Sequence, residues 1–235
     1  MRFNNIIGDG FLAKNFSKIK THIKKSNYII FAAGISNSKT NSKNKLKREI
    51  KIFKEFANKY YFKSIVYIST ADISDNLKKK NLYVKNKIAI ENLIKKKFKK
   101  YIILRLPQII GNSKNKKTLI NYFFQSIKRG KKILVFNNVK RNILDVDDVI
   151  KVLKIILLNK KIKKKTITLA NKHFFQPLDL IKILEKKLNK KANIRLIKNA
   201  KQRWKIDNNT SAILFKQAKV SFDKNYLYKK INKYF

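Results

Sequence analysis

Two hydrophobic rhythms alternate along the first half of the chain. Short unbroken apolar runs recur: Tyr28-Ile29-Ile30-Phe31-Ala32-Ala33, Ile65-Val66-Tyr67-Ile68 and Tyr101-Ile102-Ile103-Leu104. Runs of that length predict strands buried on both faces of a parallel sheet. Between them the spacing widens. Residues 44–59 place Leu46, Ile50, Phe53 and Phe56 on one helical face. Residues 11–20 and 83–97 also predict helices, and residues 1–7 predict a short strand. Strand alternating with helix gives an α/β chain with a parallel sheet and right-handed connections. Further on, residues 119–128, 178–188 and 225–235 predict helices of a smaller C-terminal portion, with a strand at 166–170. No internal repeat or linker is evident.

Composition narrows the picture. The 235 residues suit one domain, or one with a small appendage, and 44% hydrophobic residues suffice for a core. No run of 18 apolar residues and no signal-peptide pattern is present, so a cytoplasmic protein without membrane association is expected. The chain has no cysteine, which fits a reducing compartment. Its two histidines, His22 and His173, are far apart, which argues against a zinc site.

The net charge of +46 invites a nucleic-acid reading. Its distribution points elsewhere. The basic residues are mostly lysine, spread along the chain among abundant Asn and Ile, as a strongly A+T-biased coding sequence produces. A dedicated nucleic-acid surface concentrates charge and uses more arginine. Runs such as Lys163-Lys164-Lys165 and Lys78-Lys79-Lys80 read as solvated loops or helix ends. No specific nucleic-acid partner is expected.

Two motifs carry chemistry. Gly8-Asp9-Gly10-Phe11-Leu12-Ala13 is a G-x-G-x-x-A between the first strand and the first helix. Its first glycine permits a tight turn, its second lets a pyrophosphate approach the backbone, and Ala13 allows close helix–strand packing. Phe11 and Leu12 open the helix whose free N–H groups would face phosphate. The second motif is Tyr83-Val84-Lys85-Asn86-Lys87, 13 residues beyond Ser69-Thr70 at the end of a buried strand. On a helix, positions i and i+4 share a face, so Tyr83 and Lys87 can meet. A neighbouring cation favours the phenolate and lowers the tyrosine pKa. A hydroxyl at the strand end can hold a substrate oxygen against the phenol, which suits interconversion of alcohol and ketone. Tyr226 and Lys230 repeat the spacing, but without a preceding strand that ends in hydroxyls. The plain alternative for Tyr83 is a ring packed on the sheet.

With these residues the chain resembles the extended short-chain dehydrogenases/reductases, and within them the NAD-dependent epimerase/dehydratase family acting on nucleotide sugars. IIGDGFLAKNF, FAAGISNS, FKSIVYISTADISD, YVKNKIAIENLI, YIILRLPQIIG and KRNILDVDDVIKVL occur in that family's order, over residues 1 to about 160. The resemblance implies a Rossmann-type doubly wound parallel sheet with a small C-terminal substrate-binding portion. Residues 1–112 would form the NAD(P)-binding domain. Residues 113–235 would mainly form the smaller portion, with a strand at 143–146 and a helix at 148–158 returning to the first. It implies that Gly8, Gly10 and Ala13 line the pyrophosphate and that Ala32, Ala33 and Gly34 run beside the riboses. Thr70 would orient substrate, Tyr83 would be the acid/base, and Lys87 would lower its pKa and hold the nicotinamide ribose. Pro107 would begin the loop over the nicotinamide. Gln108 stands where the family often has a substrate-contacting asparagine, and Arg141 resembles the arginine that grips the diphosphate. Asp147 reads as a helix cap. A homodimer through the helices at 44–59 and 83–97 is the assembly such relatives suggest.

The departures are informative too. About 14 residues separate Ala13 from Tyr28, where the family fits a further strand and helix. The acid that takes the ribose 2′-hydroxyl has no counterpart, so NAD and NADP are both open. Ala71-Asp72 replaces the Asp-Glu of the dehydratases, which counts against a 4,6-dehydratase. Trp204 and Phe174-Phe175 are candidates for base stacking, with core packing favoured. The expected activity is that of an NAD(P)-dependent epimerase or ketoreductase on a nucleotide-activated sugar, in surface polysaccharide synthesis. The alternatives are a reductase of another small carbonyl compound and a dinucleotide-binding module without turnover.

Overall fold

The computed structural model describes all residues except 1, 4, 39, 41, 76–80, 117, 137 and 199–208; Trp204 and Lys78–Lys80 thus lie outside the described residues. Its centre is a sheet begun by β1 (Arg2–Phe3), β2 (Ile6–Ile7), β3 (Tyr28–Phe31), β4 (Ser64–Thr70) and β5 (Tyr101–Leu106). From β2 to β5 every pairing is parallel. The expected single strand at 1–7 is instead a tight antiparallel hairpin, Arg2 opposite Ile7 and Phe3 opposite Ile6. Asn5 turns it with φ of 66°, a left-handed conformation that asparagine tolerates.

The apolar runs bury both faces by the two-residue period of a strand. Ile30, Val66, Ile68, Ile102 and Leu104 face one layer. Ile29, Phe31, Ile65, Tyr67 and Ile103 face the other. The second layer is α3 (Lys43–Tyr60) and α4 (Leu82–Lys97), which lay Phe53, Phe56, Ile90 and Ile94 on the sheet. The first layer begins with α1 (Phe11–Phe16) and, after a short 3-10 turn, α2 (Lys20–Ser26). Those helices fill the short stretch between β2 and β3, so no further strand is interposed.

Beyond β5 come β6 (Gln108–Ile110), α5 (Leu119–Lys128), β7 (Ile133–Phe136), β8 (Ile143–Asp145) and α6 (Val146–Leu158). The strand near 143–146 does not return to the main sheet: β8 pairs in parallel with β6 in a small separate sheet. Only α6 returns, packing Val149, Val152, Leu153 and Ile156 into the first layer. The strand expected at 166–170 belongs to the main sheet rather than the smaller portion. It is β9 (Lys165–Thr168), parallel to β5. Then follow α7 (Pro177–Leu188), β10 (Ile194–Ile197), α8 (Asn209–Gln217) and α9 (Tyr226–Tyr234). β10 pairs with β7, and α5, α7 and α9 close a second core around Ile120, Phe123, Leu180, Leu184 and Leu227. Phe175 packs against this core.

The cap of α6 is Asp145, not Asp147: its side chain accepts from the Asp147 N–H at 3.1 Å. Asp145 is fully buried, and α9 supplies its partners. Lys230 donates to it at 2.6 Å and the Tyr234 hydroxyl at 2.6 Å. The Tyr226 hydroxyl accepts from the Asp145 N–H at 2.8 Å and donates to Asp148 at 2.9 Å. The second Tyr-x-x-x-Lys is therefore a latch between α9 and α6. Tyr226→Phe leaves a buried N–H and a buried carboxylate short of a partner, and should cost about 1–3 kcal/mol in urea unfolding. The outer Lys233–Asp147 pair sets the latch's pH window. Its hydrogen bond raises Lys233 and, aided by Lys18, lowers Asp147. The lysine contribution is lost as pH rises through the raised value, and the aspartate contribution as pH falls through the lowered one. Unfolding of Lys233→Met should therefore approach that of the wild type at both pH extremes and differ between them.

Candidate active site

The strand ends of a parallel sheet leave a crevice at their carboxyl edge. Here it is a cavity of about 910 Å³. Gly10, Phe11 and Leu12 form its rim after β2, Ala32 and Gly34 after β3, Thr70 and Asp72 after β4, and Pro107 and Gln108 after β5. Tyr83 and Lys87 of α4 form its floor, and Arg141, before β8, closes the far wall. Gly8 and Ala33 stand outside the lining. Gly8 has φ of +124°, and a Cβ there would lie 2.7 Å from the Ala32 carbonyl oxygen. It needs to be glycine to make the turn. Gly10 differs, since a Cβ there would meet nothing within 4 Å. The fold does not need that glycine, and the space it leaves belongs to the cavity.

Asn81 fixes the start of α4. Its side chain accepts from the Tyr83 N–H at 2.8 Å and donates to the Ser38 carbonyl at 3.2 Å. Tyr83 is 7% exposed and Lys87 2%. The Lys87 Nζ sits 5.5 Å from the Tyr83 ring centroid and 5.4 Å from that of Tyr67. The expected meeting of Tyr83 and Lys87 thus occurs, but the lysine has another partner. Glu49 of α3, 3% exposed, accepts from Lys87 at 2.7 Å and from the Asn86 amide at 3.1 Å. The pair lies directly against Gly34, where a Cβ would collide with the Lys87 Nζ and approach Glu49 Oε1 to 2.8 Å.

That partner changes the electrostatics foreseen from sequence. Tyr83 is pushed up, not down. Burial is the main cause, and the negative charges of Asp72 and Glu49 add to it, while a hydrogen bond with Thr70 opposes it. Arg141 is lowered from the usual guanidinium range by burial, with Asp72 and Asp75 pulling it back. Two buried polar atoms on the cavity wall have no hydrogen-bond partner, the Arg141 Nε and the Gln108 Oε1. Ser69, next to Thr70, turns the other way: its hydroxyl donates to Glu91 at 2.6 Å, which also binds Arg105 through two hydrogen bonds of 2.9 and 2.6 Å. No cluster of metal-ligating side chains occurs among the described residues, and none of their helices is long and apolar enough to cross a membrane.

Sequence reasoning missed Glu49, Glu91 and Asn81. The signal for Glu49 was present. It lies between Leu46 and Phe53 on the apolar face of its helix, where an unpaired carboxylate does not belong.

The model of the NAD dependent epimerase/dehydratase family matches residues 15–170, two thirds of the sequence. The chain belongs to that family of enzymes. The match begins after the glycine motif. No curated protein matches the chain significantly by sequence. Solved structures share its fold at low identity. A UDP-glucuronic acid 4-epimerase from Bacillus cereus, in complex with UDP-glucuronic acid and NAD, is 18% identical, with a TM-score of 0.73 over 96% of this chain and 77% of that one. A Thermus thermophilus UDP-glucose 4-epimerase in complex with NAD is 11% identical, with a TM-score of 0.71 over 94% and 82%. RMD from Pseudomonas aeruginosa, complexed with NADPH, is 15% identical, with a TM-score of 0.68 over 87% and 78%.

Lys87 carries structure as well as lining the cavity. Lys87→Met strands the Glu49 carboxylate in the interior and should destabilise the fold by about 3–5 kcal/mol in urea unfolding, a loss that a lysine serving substrate alone would not show.

Proposed function

We propose that the protein is an NAD(P)-dependent epimerase or ketoreductase of a nucleotide-activated sugar, with Tyr83 as its acid/base. The observation that carries this is that one cavity is lined by Gly10, Tyr83 and Arg141 together. The open space over Gly10 suits a pyrophosphate. Ala32, Gly34 and Pro107 line the same cavity as Tyr83 and Lys87, which suits the nicotinamide and its ribose. When bound, the nicotinamide supplies hydride acceptance and donation. The chain's own residues do the rest. Lys87 offers an N–H to ribose hydroxyls, Thr70 holds the reacting sugar oxygen against Tyr83, and Tyr83 moves the proton at that oxygen. Arg141 holds the substrate diphosphate and Gln108 accepts from a sugar hydroxyl. Their unpaired polar atoms support these roles, because buried polar groups are ordinarily satisfied.

The Arg141 Nε favours a nucleotide sugar over a simple carbonyl compound, which would leave that buried N–H without an acceptor. Solved relatives bind UDP-sugars and NAD, which supports the same assignment. A role in surface polysaccharide synthesis, a cytoplasmic location and a homodimer through α3 and α4 belong to the proposal. The adenosine side is the weak end. At that edge of the sheet stands the β1–β2 hairpin, and among the described residues no strand lies beyond it to carry a ribose-binding acid.

Fluorescence titration with NADH and NADPH at physiological salt, which screens bare charge attraction, tests the reading. Saturable binding should be abolished in Gly10→Val, whose side chain fills the pyrophosphate space without disturbing the fold. Tyr83→Phe should then lose turnover of a UDP-sugar panel by a factor of at least about 100. A folded protein that binds neither dinucleotide would refute the enzyme reading.

A further inference from the structure

The family's floor pair is a tyrosine and a lysine; here it has a third member. Glu49 does not line the cavity, yet its carboxylate touches the lysine that does, at 2.7 Å. We propose that Glu49 is a positioning residue of this site: it anchors the Lys87 ammonium and cancels its charge, so that Tyr83 meets substrate as a neutral proton donor. This rests on the reading of Tyr83 as the proton-transfer group, and of the two proposed activities it selects the ketoreductase, because an epimerase must first take the sugar proton onto a phenolate.

The geometry supports both halves of the inference. Lys87 has three donors. Glu49 takes one from behind, which leaves the remaining donors for the cavity and fixes where the ammonium sits under Gly34. Asn86 holds the second carboxylate oxygen at 3.1 Å, so the anchor itself is fixed. A free ammonium beside a buried phenol would stabilise phenolate. An ammonium already matched by a carboxylate presents no net charge to do so.

The other charges around Tyr83 do not replace it. Asp72, after β4, is negative and opposes phenolate. Arg141, across the cavity, is matched by Asp72 and Asp75. Glu91, farther along α4, is paired with Arg105 of β5 at 2.6 Å. Tyr67 of β4 is uncharged, its hydroxyl pushed well up by burial and by Glu49. Thr70 is the one hydrogen-bond partner that favours phenolate. The site is therefore built for the carbonyl-reducing direction at neutral pH. The substrate carbon gains hydride from NAD(P)H, its oxygen gains the Tyr83 proton, and the phenolate left behind recovers a proton from water. The reverse direction, which needs phenolate first, should be favoured only by alkali.

The test reads Tyr83 directly. Protein labelled at tyrosine Cζ with carbon-13 is titrated from about pH 8 to about 12.5, and the Tyr83 resonance is assigned by its loss in Tyr83→Phe. In Glu49→Gln the onset of Tyr83 ionisation should fall by about one pH unit or more, because Lys87 is then unmatched. In Glu49→Gln/Lys87→Met, where both charges are gone, the onset should stay with the wild type. Onset in Glu49→Gln at or above the wild-type pH overturns the proposal. So does a displacement of the double variant by a unit or more. If Glu49→Gln does not fold, the double variant, which buries no lone charge, decides alone. No dinucleotide or substrate enters this measurement, so it can fail while cofactor binding and turnover stand, and the reverse.

Discussion

Lys87 and Glu49 are as inaccessible as core leucines, and each is tolerable there only because of the other. Their contact constrains much that surrounds it. It holds α3 and α4 in register above the sheet, beside the aromatic packing of Phe31 against Phe53 at 5.1 Å and Phe56 at 5.1 Å. It requires that position 34 have no side chain, since the ion pair fills the space a Cβ would take. Gly34 is therefore placed by the protein's own charges as well as by any ribose that passes it. The pair also fixes the ammonium beneath the cavity before any ligand arrives, and such preorganisation is what electrostatic catalysis relies on.

The fold was legible because its signals were redundant. β3, β4 and β5 each announced themselves as apolar runs, and the helices between them by spacing. What escaped was pairing. β9 carries Lys165, Thr166 and Thr168 and resembles an exposed edge; only the three-dimensional position of β5 brings it into the main sheet. β8 shares the apolar character of a sheet strand yet pairs with β6, because Pro107 interrupts the chain after β5 and sends β6 away from it. A three-residue strand with only two apolar side chains can pair with any neighbour at hand, and sequence does not say which. The first strand was misread for a related reason. Asn5 in a left-handed conformation splits a seven-residue stretch into a hairpin, a turn with no glycine to mark it.

The site divides in the same way. Its cavity-facing residues were found by motif, since Gly10, Thr70, Tyr83 and Lys87 stand at strand ends and on a helix face that local spacing defines. The charge state was misjudged, because it depends on a residue from another helix. A lysine four places from a tyrosine implies a lowered phenol pKa only while the lysine is free. The second such pair shows the same dependence. Lys230 lies 5.1 Å from the Tyr226 ring centroid, nearly the separation found for Lys87 and Tyr83, yet Tyr226 is pushed up by burial and by Asp148 and serves as a hinge-pin for α9. Spacing brings the groups together, and the third partner determines what they do.

Those third partners are acids, and their location explains the charge of the chain. Thirteen acidic residues face 59 basic ones. Five of the acids, Glu49, Asp75, Glu91, Asp145 and Asp148, are buried, while Lys87 is the one basic residue buried among those described. Among the described residues the basic excess therefore lies outside the interior, at positions where one lysine more or less changes stability little. In the interior each carboxylate is matched to a particular donor, and replacing it would strand that donor. A bias toward lysine acting on the whole sequence is stopped at these positions by the cost of an unmatched buried charge. Surface basicity is then what composition leaves where structure does not resist. The buried acids carry the information, and they point to the Tyr83 floor and the α6–α9 latch.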